Sequence, residues 1–345
     1  GFDYYTQRQN REYNKGVSPT FQPIDLGVFQ TQTLTSKIWN HDVIVGYNQR
    51  ISENINFTSR VGLNARNDLI SRDGLYSEQQ IVFGLMRHNN FQVSSSRSAA
   101  FGGRVFLFEQ ESQRYGVYGD FQFDYKNFVF LNLAGRNDWV SFLEEGNNTL
   151  FYPSASASVV LTDALPNIKS NALSFLKFRL GYGTSAGYPS PYSTRTVIAS
   201  NARGFLDVGG IAYAEHTIAN QLGNPGLRGE LIGEFEVGFE AKVLKDKLGI
   251  DFTVYDRQTR DLITNAPIDP ATGSTTTLQN LGKVSNKGIE IGLNATPVRL
   301  GNGFQWDVIW NFTAVRPEVI TLGTGIDEIV LAGFTNLGNF AIPGR

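Results

Sequence analysis

Gly288-Ile-Glu-Ile-Gly-Leu-Asn-Ala-Thr-Pro-Val-Arg-Leu-Gly-Asn-Gly-Phe-Gln-Trp-Asp-Val-Ile-Trp-Asn-Phe-Thr-Ala314 decides the fold class of this chain. Ile289, Ile291, Leu293 and Ala295 are separated by Glu290, Gly292 and Asn294. Leu300-Gly301-Asn302-Gly303 has turn composition. After it, Phe304, Trp306, Val308, Trp310 and Phe312 alternate with Gln305, Asp307, Ile309, Asn311 and Thr313. Successive strand side chains point to opposite faces, so each arm has an apolar face and a more polar one. The stretch predicts a β-hairpin, greasy on one side and wet on the other. A soluble sandwich shows the same alternation. Here, however, it recurs along most of the chain, on strands long enough to cross a bilayer.

Composition narrows the classes. The chain has 345 residues, 41% hydrophobic, 12% aromatic and 18% charged, with 25 Phe and 14 Tyr. That supports a packed fold and argues against global disorder. The net charge of −2 gives no basic excess for nucleic acid. Cys is absent, which removes disulfides, thiolate metal sites and cysteine nucleophiles together. No apolar run approaches the roughly 18 residues of a spanning helix. A membrane crossing must then be made by strands, and strands in hydrocarbon must close into a barrel to pair every backbone group. The chain opens on Gly1 without a basic-plus-apolar leader, which fits a processed chain or an internal piece of a longer one.

Residues 1–37 are expected to hold part of a strand and a long loop, broken by Pro19 and Pro23. Alternation begins near Asp42 with Val43, Val45 and Tyr47, and Ser52-Glu53-Asn54 is a short turn. Ile55, Phe57, Ser59, Val61, Leu63 and Ala65 return along one face, and Asn56, Thr58, Arg60, Gly62, Asn64 and Arg66 along the other. The latter face suits a water-filled lumen better than a core. Residues 67–112 are less regular. Tyr115, Val117, Gly119, Phe121, Phe123 and Tyr125 then oppose Gly116, Tyr118, Asp120, Gln122 and Asp124. A tight connection at Lys126-Asn127-Phe128 leads to Val129, Leu131 and Leu133. Further strands are expected at Tyr152–Leu161, Leu176–Gly183, Glu234–Lys242 and Leu248–Val254, with one helical turn at Pro166–Ala172.

Short turns at 52–54, 126–128, 245–247 and 300–303 alternate with expected long loops at 137–150, 184–228 and 266–275. Short turns on one rim and long loops on the other is the outer-membrane barrel arrangement. Strands of about 10–12 residues match the roughly 9–11 that cross a bilayer at a tilt, against a soluble mean nearer 5–6.

Several segments resemble the barrel of SusC/RagA-type TonB-dependent outer-membrane transporters. Gly119 to Asp138 resembles a barrel hairpin ending in Arg-x-Asp, with Arg136 and Asp138 in those places. Trp139-Val140-Ser141 departs from the family's Gly-Ser-Ser. Tyr152-Pro-Ser-Ala-Ser156 resembles its aromatic-Pro-Ser-x-Ser element, and Leu176 to Gly187 its Leu-Lys-x-Arg…Tyr-Gly strand. Asn224-Pro225-Gly226-Leu227, followed by Glu230 and Glu234, resembles its Asn-Pro-x-Leu…Glu element. Asn280, Gly282, Asn286, Gly288 and Glu290 hold the places of its Asn-x-Gly…Asn-x-Gly-x-Glu element.

The resemblance implies an all-β transmembrane antiparallel barrel of about 22 strands. Roughly 11–14 strands are visible at the spacing of ten-residue segments. The expectation is therefore that residues 1–345 are part of one β-barrel domain, with the plug domain and the C-terminal strands outside this chain. The resemblance also implies import of a glycan or oligopeptide across the outer membrane of a Gram-negative, Bacteroidetes-like bacterium. The implied partners are a SusD-like surface lipoprotein, outer-membrane lipid, and the TonB–ExbB–ExbD complex acting through the missing N-terminal part, with no nucleic acid.

No residue is expected to be catalytic. His41, His88 and His216 have no metal spacing, and Ser94–Ser98 lacks a Gly-x-Ser-x-Gly elbow. Glu234, Glu236 and Glu240 share one strand face as lumen carboxylates. No cofactor is expected. Glu144-Glu145-Gly146-Asn147-Asn148 offers oxygen ligands for Ca²⁺ in an outer loop, but its spacing matches no EF-hand. Trp139, Tyr188, Tyr192 and Tyr213 fall in the expected loops and are candidate ligand-binding residues, or else an aromatic girdle or loop packing. Trp306 and Trp310 are assigned to lipid contact. The leading expectation is an active importer, ahead of a passive porin or structural barrel, a soluble all-β binding module and, last, an enzyme.

Overall fold

A computed structural model describes residues 1–16, 26–95, 107–206, 212–323, 328–334 and 337–344. The side chains of 199–206, 212–215, 329–334 and 337–340 lie outside that description. The strands are β1 (Phe2–Tyr13), β2 (Val28–Ser52), β3 (Ile55–Gln80), β4 (Phe91–Ser95), β5 (Phe108–Tyr125), β6 (Val129–Val140) and β7 (Thr149–Val160). There follow β8 (Leu173–Gly187), β9 (Ile198–Leu206), β10 (Ala212–Ile218), β11 (Gln221–Leu222), β12 (Glu230–Val243) and β13 (Leu248–Arg260). The last are β14 (Ile263–Pro267), β15 (Thr276–Asn280), β16 (Lys283–Arg299), β17 (Gln305–Thr321), β18 (Ile329–Phe334) and β19 (Leu337–Ala341). One sheet takes the order β1-β2-β3-β5-β6-β7-β8-β12-β13-β16-β17, with β4 joined to β3. No helix among the described residues is long and apolar enough to cross a membrane.

Contacts divide the chain into two units. The first comprises Gly1–Asp42 and Asn64–Tyr115. Its small core is Val28 and Tyr76, with Tyr13 packed against them. His88 is clamped there, Nε2 bonded to Thr31 Oγ1 at 2.8 Å and Nδ1 to Ser77 Oγ at 2.9 Å.

The second unit comprises Val43–Leu63 and Gly116–Arg345. Its strands β6, β7, β8, β12, β13, β16 and β17 form antiparallel pairs in that order. Opposed residues in such a pair point to the same side, so register carries a face from strand to strand. Ala157, Leu180, Val237, Val254, Ile289 and Ala314 form one continuous row. One row nearer the tight turns are Val159, Phe178, Phe239, Phe252, Ile291 and Phe312. The opposite face carries Ser158, Arg179, Gly238, Thr253, Glu290 and Thr313. Phe235 is 49%, Trp306 55% and Trp310 46% exposed, so the apolar side covers no core.

Tight turns close the hairpins where left-handed residues are tolerated. Lys126 and Asn127 have φ of 50° and 58°, the mirror-image turn that matches strand twist. Leu244, Lys245 and Asp246 are all left-handed as well. The same end carries one longer connection, 161–172, with helix Leu161–Ala164 and a 3-10 turn at Pro166–Ile168. The expected helical turn is there, beginning earlier than Pro166.

Several expectations are corrected. Strand β2 starts at Val28, well before Asp42, and β3 runs on through Gln80. At about 3.3 Å per residue, a strand of 25 residues reaches roughly 80 Å, far beyond a bilayer core. The extension mixes polar and apolar residues on both faces, so it lacks the alternation that marks a lipid-facing strand. Residues 137–150 are not a long loop, because β6 continues to Val140 and β7 begins at Thr149. Residues 184–228 contain the β9–β10 hairpin, and 266–275 is flanked by β14 and β15.

Glycines on the polar face admit long side chains from the next strand. A β-carbon at Gly288 would lie 2.2 Å from the Tyr255 ring, and one at Gly62 would lie 2.2 Å from that of Tyr118. The ring covers backbone that glycine leaves bare. Gly288→Val is expected to cost about 1–3 kcal/mol through this clash. The denaturation midpoint of the detergent-folded full-length protein should fall, and a second change, Tyr255→Ser, should restore it.

Candidate functional site

The candidate site is the polar face of the second unit. Two shallow cavities of about 620 and 790 Å³ lie along it. Ser154, Ser156, Gly181 and Gly183 floor the first, with Glu234, Glu236 and Arg257 around it. Lys177, Arg179, Asn132 and Asp124 line the second. Small residues on β7 and β8 make the room in the first, beside charges from β12 and β13, and the charges of the second come from β5, β8 and β12.

The charges are held in cross-strand pairs. Arg179 reaches across Gly238 to Asp251 at 2.6 Å and also donates to Thr253 Oγ1. A β-carbon at Gly238 would sit 2.9 Å from Arg179 Nε, so glycine is what lets the arginine span two strand spacings. Arg257 Nε donates to Glu234 at 2.5 Å. These partly exposed pairs each contribute no more than about 1 kcal/mol; their effect is to fix side-chain positions on a wet wall. Glu236 and Glu240 share that face, so the expected carboxylate row is present, with Glu234 paired.

Toward the loop end the polar face closes into a buried network. Asp138, 1% exposed, accepts from Arg136 Nε at 2.7 Å and from Tyr152 Oη at 2.5 Å. The Arg136 guanidinium lies 5.5 Å from the Tyr118 ring centroid. A β-carbon at Gly116 would come within 2.4 Å of both Arg136 and Asp138. The Arg-x-Asp spacing places both side chains on one face of β6, and the aromatic before Pro153 is their third member.

The other motif residues tie strand ends to loops. Asn224 Nδ2 donates to Leu278 O at 2.8 Å, and its Oδ1 accepts from Gly226 N at 2.9 Å. The turn so formed drops Leu227, 0% exposed, into a satellite core with Val140 and Leu143. Pro225 shapes the same turn. Asn280 bonds the backbone of Arg228 through both side-chain atoms, and Asp261 O as well. Gly282 has φ of 81°. Asn286 faces Arg257 and Glu290 faces Thr253 across β13.

The candidate aromatic residues are dispersed. Trp139 lies not in a loop but near the end of β6, opposite Thr149 and on the side of Leu131 and Leu133. Tyr188 packs on the satellite core, edge-on to Phe142 at 5.9 Å. Tyr192 is exposed in a turn with φ of 66°. Tyr213 belongs to β10, and its side chain lies outside the described residues. In the acidic loop 144–148 the first carboxylate is paired with an arginine. Glu144 accepts from Arg195 Nε and Nη2, both at 2.9 Å. Among the described residues no group of His, Cys, Asp and Glu is gathered to hold a metal ion. Ser96–Ser98 lie outside the described residues. Sequence reasoning missed the Arg179 bridge and the satellite core. The apolar run Val140, Phe142 and Leu143 inside an otherwise polar stretch was the available signal for the latter.

Residues 1–336 match the profile of a family described as TonB dependent receptor-like, beta-barrel. TonB-dependent receptor P26 of Formosa agariphila is 27% identical over 341 residues, covering 98% of this chain and 33% of that protein. TonB-dependent receptor SusC of Bacteroides thetaiotaomicron is 28% identical over 163 residues, 46% of this chain and 16% of that protein. The structure of the RagAB peptide transporter superposes with a TM-score of 0.79 at 19% identity, covering 99% of this chain and 36% of that one. The chain therefore has the barrel fold of these outer-membrane proteins and spans about a third of their length.

Asp138→Ala is expected to cost about 3–5 kcal/mol by leaving Arg136 without its anion, and Asp138→Asn less. Denaturant titration of the folded full-length protein checks both. Hydrogen bonds from Arg195 and then Thr194 pull the Glu144 carboxyl down from 4.5 to about 2. The stabilisation is thus complete above 4.5 and is lost as pH falls through about 2. Amide exchange of residues 141–148, corrected for intrinsic rate, should keep its protection from pH 7 to 5 and lose it toward pH 2. Glu144→Gln should lose it at neutral pH.

Proposed function

This chain belongs to the TonB-dependent receptor-like β-barrel family, and on that premise we propose that it is a stretch of the wall of an outer-membrane nutrient importer. The segregation of faces carries the reading. Arg179, Asp251, Glu234 and Arg257 line one side of strands whose other side bears Phe178, Phe239, Phe252 and Phe312. Lipid suits the second side and a hydrated channel the first. Such a wall provides a path, and directional uptake needs a plug and external work. The chain spans about a third of its relatives' length, and in this reading the plug and the contact with the TonB–ExbB–ExbD complex are assigned to the rest of the protein.

The cargo is a glycan or an oligopeptide. The RagAB neighbour is a peptide transporter, and SusC is among the relatives. A SusD-like surface lipoprotein closes the outer mouth, at the loop end that carries the separate β9–β10 and β11–β15–β14 sheets. Relatives in Formosa and Bacteroides favour a Bacteroidetes outer membrane. The polar-face pairs position side chains along a path, and we assign them no catalysis.

Uptake of labelled oligopeptides and oligosaccharides by cells carrying the full-length gene tests this. Uptake is expected to fall to the level of gene-deleted cells when TonB is removed, and a surface lipoprotein is expected to co-purify in detergent. Uptake that persists without TonB would establish a passive pore instead. Release from membranes without detergent would remove the wall reading altogether.

A further inference from the structure

One part of the apolar face differs from a plain lipid-facing band. A trough of about 550 Å³ crosses β12, β13, β16 and β17. Phe235, Val254, Ile289 and Ala314 line it, and Lys287 and Arg316 stand at one end. The register explains the shape. Ala314 opposes Ile289, one row beyond Phe312 opposite Ile291, so a methyl follows an aromatic ring and leaves a depression.

The register also sets two cations side by side. Lys287 is directly opposite Arg316. Like charges so placed repel, and the pair is costly unless an anion bridges it. Both side chains are exposed, and among the described residues neither forms an ion pair. Asp256 faces Lys287 from β13, but its carboxylate accepts from Ser285 Oγ at 2.7 Å and Gln258 Nε2 at 3.0 Å. Glu318 lies farther from the apolar rows, opposite Ser285. Lys283 is also within electrostatic reach of Asp256, so Lys283, Lys287 and Arg316 outnumber the two carboxylates. The cations lie at the end of the apolar rows away from the tight turns at 244–247 and 300–304. In an outer-membrane wall that end meets the headgroups of the outer leaflet.

We propose that this trough holds one membrane lipid of the outer leaflet. Its acyl chain lies against Phe235, Val254, Ile289 and Ala314, and its phosphate head bridges Lys287 and Arg316. Inorganic phosphate would use the cations and leave the apolar trough empty. A soluble protein cannot reach a face submerged in lipid. The proposal rests on the wall reading above.

The test uses the full-length protein, purified from its own outer membranes in mild detergent and washed. Lipid phosphorus per protein and native mass spectrometry are the readouts. Wild type should retain a phosphate-bearing lipid. Retention should fall about five-fold for each cation removed in K287Q and R316Q. Ala314→Phe keeps both charges but fills the trough, and should also displace the lipid. Lys245→Gln with Lys247→Gln, at the tight-turn end, should leave retention unchanged. Equal retention in wild type and K287Q/R316Q, an equal fall in the turn-end variant, or a second protein copy on this face in place of lipid would each overturn the proposal. Heat-dependent electrophoretic mobility reports folding in every sample. A folded, detergent-requiring protein without the lipid sinks only the site, whereas release without detergent sinks the wall.

Discussion

Lateral hydrogen bonding between neighbouring strands is the constraint on which the rest depends. In hydrocarbon an unpaired peptide group costs several kcal/mol, so a wall of strands must pair edge to edge along its length. Pairing fixes register, and register fixes which side chains share a side. From β7 to β17, Ala157, Leu180, Val237, Val254, Ile289 and Ala314 fall into one row, and Ser158, Arg179, Gly238, Thr253, Glu290 and Thr313 into another. A slip by one residue in any pair would turn its partner strand inside out. Aromatic residues toward lipid and charges toward water penalise that slip from both sides.

The polar face is organised by glycine as much as by charge. Arg179 reaches Asp251 only because Gly238 intervenes, and Tyr255 lies flat because Gly288 is beneath it. Each missing β-carbon lets a side chain from one strand span the next, which cross-links the wall where salt bridges alone contribute little. The result is a wet surface with fixed relief: hollows over Ser154, Ser156, Gly181 and Gly183, and ridges of paired charge beside them. Relief of that kind presents a defined surface instead of a layer of mobile side chains.

At the loop end, polar side chains replace strand pairing. Asn224 and Asn280 bond main-chain groups that have left the sheet, and Leu227 supplies the apolar contact that packs those bonds. Asn224 and Asn280 act here because backbone leaving the sheet must find new partners for its amide and carbonyl groups. Tyr188 serves the same small core. Its position inside the packing explains why an aromatic residue persists in so polar a stretch.

The hairpin at Gly288–Ala314 was legible because a period of two is written directly into residue order, and the turns at 126–128, 245–247 and 300–303 carry left-handed or glycine residues. Legibility stopped where polar and apolar residues mix on both faces. Residues 28–41 and 67–80 continue their strands with no alternation to show it, and Asn137–Val140 was taken for loop although it completes β6. The sequence by itself determined the element type, the two-faced strands and the turn positions, since these depend on neighbours in the chain. Only the tertiary structure decided that Asp138 would be buried between Arg136 and Tyr152, that Arg179 would bridge over Gly238, and that Lys287 would stand opposite Arg316. Those pairings follow from inter-strand register, a sum over many weak contacts between segments far apart in the chain that no local pattern encodes.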